Sequence, residues 1–323
     1  MPMRPNRFLL LSAVLILPLL LGGCAGKQTP DSMRKELLKR ENALAEADAR
    51  WEKNQARAAR ATENSIPLDR LEALGELSLK SRDYESSLMN FLEILKQAPS
   101  RYDLRYKVGV IFFLKGQMDA ARKELAMVLV QRPGMLEAHE ALGLVHLEEK
   151  KYALAIDEFR QALSQDPRRA KTHHLLGIAY LEAGQPQRAI SEFNLALAQD
   201  PNNIATLITL GQAYLRQSNY SKALVPLKKA QSLAPQDPKV NRQLGMALGG
   251  LKQYSEALKA FLKAGDEAQA YNNLGVFYFK DGHYEDAAKC FQKALDLRTT
   301  FYQEAKTNLQ RALEKLHQSR TDS

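Results

Sequence analysis

Cysteine is scarce in this sequence: two cysteines among 323 residues exclude a small domain held together by disulfide bonds. Concentrated positive charge is also lacking. The 46 Lys and Arg residues interleave with 37 Asp and Glu residues instead of forming a basic patch, so we predict no nucleic-acid partner. Apolar residues make up 45% of the chain, which excludes a protein that is disordered throughout.

The sequence also lacks the short motifs of common catalytic sites. It contains no glycine-rich phosphate loop, no Gly-x-Ser-x-Gly and no His-Glu-x-x-His. Four histidines that could ligate a metal lie within one stretch, but no Cys or carboxylate accompanies them at ligand spacing: His139, His146, His173 and His174. We therefore favour packing roles for them, and expect no enzyme activity, cofactor, metal or small-molecule substrate.

The longest apolar run lies at the N-terminus and is short. It extends from Phe8 to Leu21 and follows two basic residues, Arg4 and Arg7. A helix of this length rises about 21 Å, less than the roughly 30 Å hydrocarbon core of a bilayer. A cleaved secretion signal over residues 1–23 is therefore favoured over a permanent transmembrane anchor.

Residues Leu21 to Cys24 read Leu-Gly-Gly-Cys and resemble the lipobox of bacterial lipoproteins. The resemblance implies cleavage before Cys24 and attachment of a diacylglycerol to its sulfur, which would anchor the chain to a membrane. By similarity to Gram-negative lipoproteins, Ala25 in the next position implies the inner leaflet of the outer membrane, facing the periplasm. Cys290 then has no disulfide partner and is expected to be a half-buried helix residue.

A polar linker and a long helix follow the cysteine. From Asp31 or Ser32 to about Ala61 the chain has no glycine or proline and is rich in helix-forming residues. Apolar side chains recur every seven residues, but a coiled coil needs a second apolar position in each heptad, and here that position is polar. We predict a spacer helix with this apolar stripe: Leu37, Leu44, Trp51 and Ala58.

Glycine and proline then recur at a fixed interval of 34 residues. The glycines are Gly75, Gly109, Gly143, Gly177, Gly211 and Gly245, and the prolines are Pro99, Pro133, Pro167, Pro201 and Pro235. A bulky residue follows each glycine after sixteen positions: Phe91, Leu125, Phe159, Phe193, Leu227 and Phe261. Glycine within a helix costs about 1 kcal/mol relative to alanine, so its recurrence predicts that a second helix approaches too closely there for a Cβ atom.

These spacings resemble the tetratricopeptide repeat, a pair of antiparallel helices, over residues 68–318. The resemblance implies an all-α solenoid, in which each pair buries its apolar faces against its neighbours. The repeats are assigned to 68–101, 102–135, 136–169, 170–203, 204–237, 238–267 and 268–301. The sixth repeat is short, and we expect a shortened turn at Gly265 and Asp266.

The full domain organisation follows from these assignments. A capping helix from Tyr302 to Gln318, with an apolar stripe of Leu309, Leu313 and Leu316, is expected to cover the end of the solenoid. We assign residues 1–23 to the signal peptide, 24–67 to the lipidated cysteine, linker and spacer helix, 68–301 to the repeats, and 302–323 to the capping helix and tail.

The resemblance also implies that the first helix of each repeat lines a concave groove. The side chains that would reach it are Tyr106, Val110, Phe113, Leu144, Leu147, Ile178, Leu181, Ile208, Gln212, Leu215, Arg242, Met246, Asn272, Val276 and Phe279. Such a groove suits an extended peptide or an amphipathic helix of a protein partner. Alternatively, these residues pack within the solenoid and a partner contacts an edge or a loop.

We expect charge to change sign along the groove. Acidic residues precede the apolar middle: Asp69, Glu72, Glu76, Asp103, Glu137 and Glu140. Basic residues follow it at Lys239, Arg242 and Lys306. The groove is therefore predicted to run from negative through apolar to mildly basic.

A lipobox followed by tandem repeats is the layout of lipoproteins that assist type IV and tight-adherence (Flp) pilus assembly, where they are associated with secretins. The resemblance implies a membrane-anchored scaffold that binds proteins during assembly of a cell-envelope machine. An alternative left open by the sequence is a periplasmic adaptor for cell-wall hydrolases, proteases or exopolysaccharide export.

Overall fold

The computed structural model describes residues 35, 38–39, 42–43, 45–53, 66–298 and 302–321. The chain divides into two units, Met1–Pro67 and Leu68–Ser323. In the first unit, residues 45–53 are helical, within the predicted spacer helix. The signal peptide, Cys24 and both ends of the spacer helix lie outside the described residues. No helix in the described ranges combines the length and apolarity that a membrane crossing requires.

The described part of the second unit contains fifteen helices and no strand. They are α1 (Leu68–Lys80), α2 (Tyr84–Gln97), α3 (Tyr102–Leu114), α4 (Met118–Gln131), α5 (Leu136–Glu148), α6 (Tyr152–Gln165), α7 (Ala170–Glu182), α8 (Pro186–Gln199), α9 (Ile204–Arg216), α10 (Tyr220–Leu233), α11 (Pro238–Gly250), α12 (Tyr254–Lys263), α13 (Glu267–Lys280), α14 (Tyr284–Asp296) and α15 (Gln303–Thr321). Helices α1 to α14 form seven consecutive pairs, which we number repeats 1 to 7.

Each odd-numbered helix packs against the even-numbered helix that follows it, and each even-numbered helix packs against the next odd-numbered one. From α3 onward, successive odd-numbered helices also approach one another, whereas among the described residues successive even-numbered helices do not. The odd-numbered helices therefore form the inner face of the stack and the even-numbered helices form its outer face. The predicted all-α solenoid is confirmed.

The recurring glycines hold the two helices of each repeat together. A Cβ atom on Gly177 would lie 2.5 Å from the Cε1 atom of Phe193, so only glycine allows this approach. In every repeat the helix-internal glycine contacts the bulky side chain sixteen positions later, as predicted. These side chains are almost fully buried: Phe91, Leu125, Phe159, Phe193, Leu227, Phe261 and Phe291.

Repeat 6 differs from the others mainly in its second helix. The sequence predicts a difference mainly in the turn. Helix α12 has 10 residues, whereas α10 has 14. Four residues correspond to about one helical turn. The shortening lies after Phe261, so Ala257 and Phe261 stay on the buried face and packing against α11 is kept. Gly265, with φ of 104°, and Asp266, which caps the Gln269 N–H at 2.9 Å, then begin α13.

Helix α15 continues the alternation by packing against α14 and approaching α13, the place that an eighth odd-numbered helix would take. It extends past the predicted end at Gln318, since no glycine or proline interrupts it before Thr321. Of the expected leucines, Leu309 packs against the cluster around Phe291 as predicted, but alanines also form the contact stripe. Ala305 and Ala312 are fully buried, whereas Leu313 is exposed.

Candidate functional site

The inner face displays most of the side chains that the sequence assigned to a groove. Eleven are half-buried: Tyr106, Val110, Phe113, Leu144, Leu147, Ile178, Ile208, Gln212, Leu215, Val276 and Phe279. Arg242 and Met246 are exposed. The structure therefore leaves part of each of these side chains in contact with solvent.

The middle of the inner face is apolar because its side chains share the core clusters beneath them. Tyr106, Val110 and Phe113 pack against the cluster around Leu125. Further along the stack, Leu144, Leu147 and Ile178 pack against the cluster that contains Phe159 and Phe193. Since one side of each residue rests on a close-packed core, the apolar strip is held rigidly.

The phenol of Tyr106 is the polar group within this strip. Burial, and to a smaller extent the charges of Glu137 and Glu140, raise its pKa above the ordinary tyrosine value. The hydroxyl therefore stays protonated at neutral pH and can donate or accept a hydrogen bond.

Two predicted groove residues are buried and serve the solenoid itself. Leu181 is packed inside the core around α7. Asn272 donates to Glu304 Oε1 at 3.0 Å and accepts from the amide of Asn308 at 3.1 Å, so it joins α13 to α15. The alternative of packing within the solenoid holds for these two side chains.

Two carboxylates at the expected acidic end of the inner face pair with cations from the next repeat. Glu72 is 2.8 Å from Arg101, and Glu76 forms an ion pair with Lys107. Both cations lie 29 to 31 positions after their carboxylates, in the next odd-numbered helix or immediately before it. The prediction of an acidic surface is wrong for these carboxylates, because they hold adjacent repeats together.

Glu140 is the most buried of these carboxylates, with 3% of its side chain exposed. It accepts hydrogen bonds from Arg169 at 2.8 Å, from Lys171 at 2.8 Å and from the hydroxyl of Thr172. Burial alone would raise its pKa, but the three donors outweigh burial and hold the pKa below the ordinary glutamate value. Glu140 is therefore a charged link between α5 and α7.

Three of the four histidines considered as metal ligands have hydrogen-bonding partners: His139, His173 and His174. Nδ1 of His146 is buried without a hydrogen-bond partner among the described residues. In His173, Nδ1 lies 2.7 Å from Glu192 Oε2 and Nε2 lies 3.0 Å from the carbonyl oxygen of Pro167. This contact, which we call the polar latch, joins both helices of a repeat to the linker before it. It recurs at equivalent positions in repeats 2 and 3: Arg105 with Glu124 and Pro99, and His139 with Glu158 and Pro133.

The described residues contain no group of three or more His, Cys, Asp and Glu side chains that could hold a metal. Cys290, half-buried on α14, is not a reactive thiol. Burial, with a smaller contribution from the charge of Asp286, raises its pKa to about 11, so the nucleophilic thiolate is scarce at neutral pH.

Sequence profiles of the tetratricopeptide repeat match residues 72–135, 146–208, 181–244 and 268–301, which together cover more than half of the chain. The chain belongs to the tetratricopeptide repeat family. No curated protein sequence matches it significantly. A tetratricopeptide repeat solenoid presents an extended surface for protein–protein interaction, so the protein is an interaction scaffold.

Solved structures share this fold at low sequence identity. A tetratricopeptide repeat protein from Parabacteroides merdae ATCC 43184 has a TM-score of 0.57 and 16% identity, covering 76% of this chain and 98% of that chain. pilF of Pseudomonas aeruginosa has a TM-score of 0.53 and 20% identity, covering 66% of this chain and 97% of that chain. MamA of Desulfovibrio magneticus RS-1 has a TM-score of 0.45 and 23% identity, covering 50% of this chain and 94% of that chain. For the first two of these proteins, the similarity concerns the fold alone.

The polar latch and the pairing of carboxylates between tetratricopeptide repeats are the features that the sequence analysis missed. A signal for the latch is present, since Glu124, Glu158 and Glu192 recur at the 34-residue interval of the glycines. The pair of Glu140 with Arg169 has the same spacing as Glu72 with Arg101, 68 residues earlier. The signal is weaker than that of the latch, because the equivalent position in repeat 2 is Tyr106.

Proposed function

We propose that this protein is a lipid-anchored scaffold that binds a protein partner along the inner face of its solenoid. The observation that carries the proposal is the rigid strip of half-exposed apolar side chains on α3, α5, α7 and α9. Apolar area of this kind supplies most of the binding energy when a peptide or amphipathic helix docks into a groove. Nothing in the site resembles a catalytic constellation, and we propose no enzymatic role.

The proposed location is the inner leaflet of the outer membrane, with the solenoid in the periplasm. Support comes from the Leu-Gly-Gly-Cys sequence ending at Cys24 and from Ala25 after it. The proposed process is assembly of a pilus or its secretin, because a lipobox followed by tandem repeats is the layout of lipoproteins that assist these machines. The fold similarity to pilF is compatible with this role but does not distinguish it from other scaffolds.

Replacing Cys24 by alanine tests the anchor. The sulfur that would carry the diacylglycerol is lost, and with it the acyl chains whose burial contributes about 0.8 kcal/mol per CH₂ group. We expect the variant to be absent from the outer-membrane fraction and to lack incorporated radiolabelled palmitate. A Cys290→Ala variant is the matched control and should stay lipidated. Outer-membrane fractionation of Cys24→Ala without lipid would refute the anchor.

In-cell photocrosslinking from Phe113 and Ile178 tests the partner. A crosslinking amino acid at either position lies within the apolar strip, so we expect covalent adducts with secretin or pilus components, identified by mass spectrometry. Leu154, an exposed residue on the outer helix α6, provides a control position that should give no such adduct. Recovery of cell-wall hydrolases, proteases or exopolysaccharide synthases from the inner positions would replace the pilus proposal with the adaptor alternative.

A further inference from the structure

The polar latch of repeats 2 to 4 is missing from repeat 5. At the equivalent positions, Leu207 stands where repeat 4 has His173, and Pro226 stands where it has Glu192. The linker proline, Pro201, is kept, but no described side chain donates a hydrogen bond to its carbonyl oxygen. Repeat 5 therefore keeps the backbone of the latch without its polar side chains.

A pocket of about 380 Å³ lies at this position, between α8, α9 and α10. Leu207, Leu210 and Tyr214 of α9 line it, together with Pro226 of α10. Repeat 2 has a smaller pocket of about 310 Å³, which is lined by Pro99 and Arg105, the equivalents of Pro201 and Leu207. The volume in repeat 5 lies at the lower end of the range of ligand pockets, and its lining is mainly apolar.

One face of α10 borders the pocket with an unusual combination of side chains. Lys222, Val225 and Lys229 all line it, and spacings of three and four residues place them on the same side of the helix. Val225 is 74% exposed, which leaves its apolar surface in water. Within the described part of the chain, no carboxylate forms an ion pair with either lysine.

Positive charge predominates in the sequence around the pocket. From Pro201 to Ser255 the sequence contains seven Lys and Arg residues, and the only carboxylate side chain is that of Asp237. Asp237 is engaged as the cap of α11, where it accepts from the N–H groups of Lys239 and Val240. Arg216 and Lys252 pair with Glu182 and Asp281, and Asp200 precedes Pro201. The positive charge that an acidic ligand would meet here is therefore mainly that of the lysines on α10.

We propose that this pocket binds an acidic segment of a partner protein that inserts one bulky apolar side chain between α8 and α10. The apolar side chain would rest on Leu207 and Leu210, and flanking carboxylates would face Lys222 and Lys229. This surface lies on the outer side of the solenoid, so it is separate from the inner face. A scaffold with both surfaces can hold two partners at once.

The probe for this proposal is a short fluorescein-labelled peptide with one tryptophan flanked by aspartates and glutamates. Binding to the full-length lipidated protein in detergent is measured by fluorescence anisotropy. We expect saturable binding that weakens at least about tenfold in Val225→Gln and in the double variant K222E/K229E, as for anchor residues of interfaces. Peptides with serine in place of tryptophan, or with lysines in place of the acids, should not bind.

Matched control variants distinguish binding of the peptide in the pocket from nonspecific attraction of the peptide to apolar or basic surface. Val130→Gln changes a valine of similar exposure, 76%, that lines the smaller pocket of repeat 2. K259E/K263E removes the same charge from two exposed lysines on α12. Both should leave the affinity unchanged, with helical circular dichroism confirming that all variants fold. Equal weakening by these controls, unchanged binding of Val225→Gln, or preference for anionic lipid vesicles over the peptide would overturn the proposal. The inner-face crosslinks do not depend on this result.

Discussion

Replacing Phe193 by alanine is expected to lower the free energy of unfolding by about 3–5 kcal/mol, the usual cost of removing a large aromatic side chain from a close-packed core. Phe193 is 0% exposed and fills the space between α7 and α8 at Gly177. No other side chain can occupy that space without moving the helices, so a cavity should remain. Urea denaturation followed by circular dichroism at 222 nm measures the loss.

The same substitution should reverse the effect of a second one. In the native background, Gly177→Ala places a Cβ atom 2.5 Å from the Phe193 ring, and we expect a net loss of stability because overpacking costs about 1–3 kcal/mol. In the Phe193→Ala background that ring is absent. Alanine should then stabilise α7 by up to about 1 kcal/mol through its helix propensity.

A double-mutant cycle over these two positions measures the coupling. Gly134→Ala provides the control, since a Cβ atom there would meet only the Gln165 side-chain oxygen, at 3.2 Å, and a long exposed side chain can move. Additive effects of Gly177→Ala and Phe193→Ala would contradict the interpretation that glycine is needed at position 177 to make room for the Phe193 ring.

The position of Phe193 in the stack has a further consequence. Each repeat contacts only its neighbours, so the folding of repeats 1 to 3 is coupled to that of repeats 5 to 7 only through repeat 4. Weakening α7 and α8 should therefore broaden the urea transition as well as shift it. A reduced m-value in Phe193→Ala would report this loss of cooperativity.

The fold was predictable from the sequence because its decisive contacts repeat. One contact of glycine with a side chain sixteen positions later, seen in seven repeats, gives a signal that a single contact would not. Asn272 and Leu181 show where this reasoning ends. Their positions within the repeat are those of groove residues, yet Asn272 is buried by α15 and Leu181 by its neighbours. The residue pattern within one repeat does not predict burial by a neighbouring element.

The electrostatics of the site were predicted less well than its shape. A carboxylate on a groove position indicates an acidic surface only if no cation reaches it, and long Arg and Lys side chains from the next repeat reach Glu72, Glu76 and Glu140. The reach of such side chains depends on the rise and rotation between repeats. These quantities follow from packing and not from the 34-residue interval alone.

Glu140 is the carboxylate whose pairing should matter most for stability. Glu140→Ala is expected to lower the free energy of unfolding by about 2–4 kcal/mol, because Thr172 loses its buried acceptor and two cations lose their shared anion. The value is below that of a fully buried ion pair, since Arg169 and Lys171 are partly exposed and can turn to water. Glu137→Gln is the control on the same helix. Its carboxylate is about half-exposed and 4.0 Å from Arg169, so the change should be small.

The pH dependence of Glu140→Gln identifies the charge as the cause. The pKa of Glu140 is lower in the folded chain than in the unfolded chain, so protons bind the unfolded chain more readily. The contribution of the charge to stability is therefore complete above about pH 4.5 and is lost as the pH falls through the folded-state pKa. The stability difference between wild type and Glu140→Gln should shrink toward acid pH, whereas a difference caused by shape alone would stay constant. Urea midpoints of both proteins at about pH 7 and about pH 4 distinguish these outcomes.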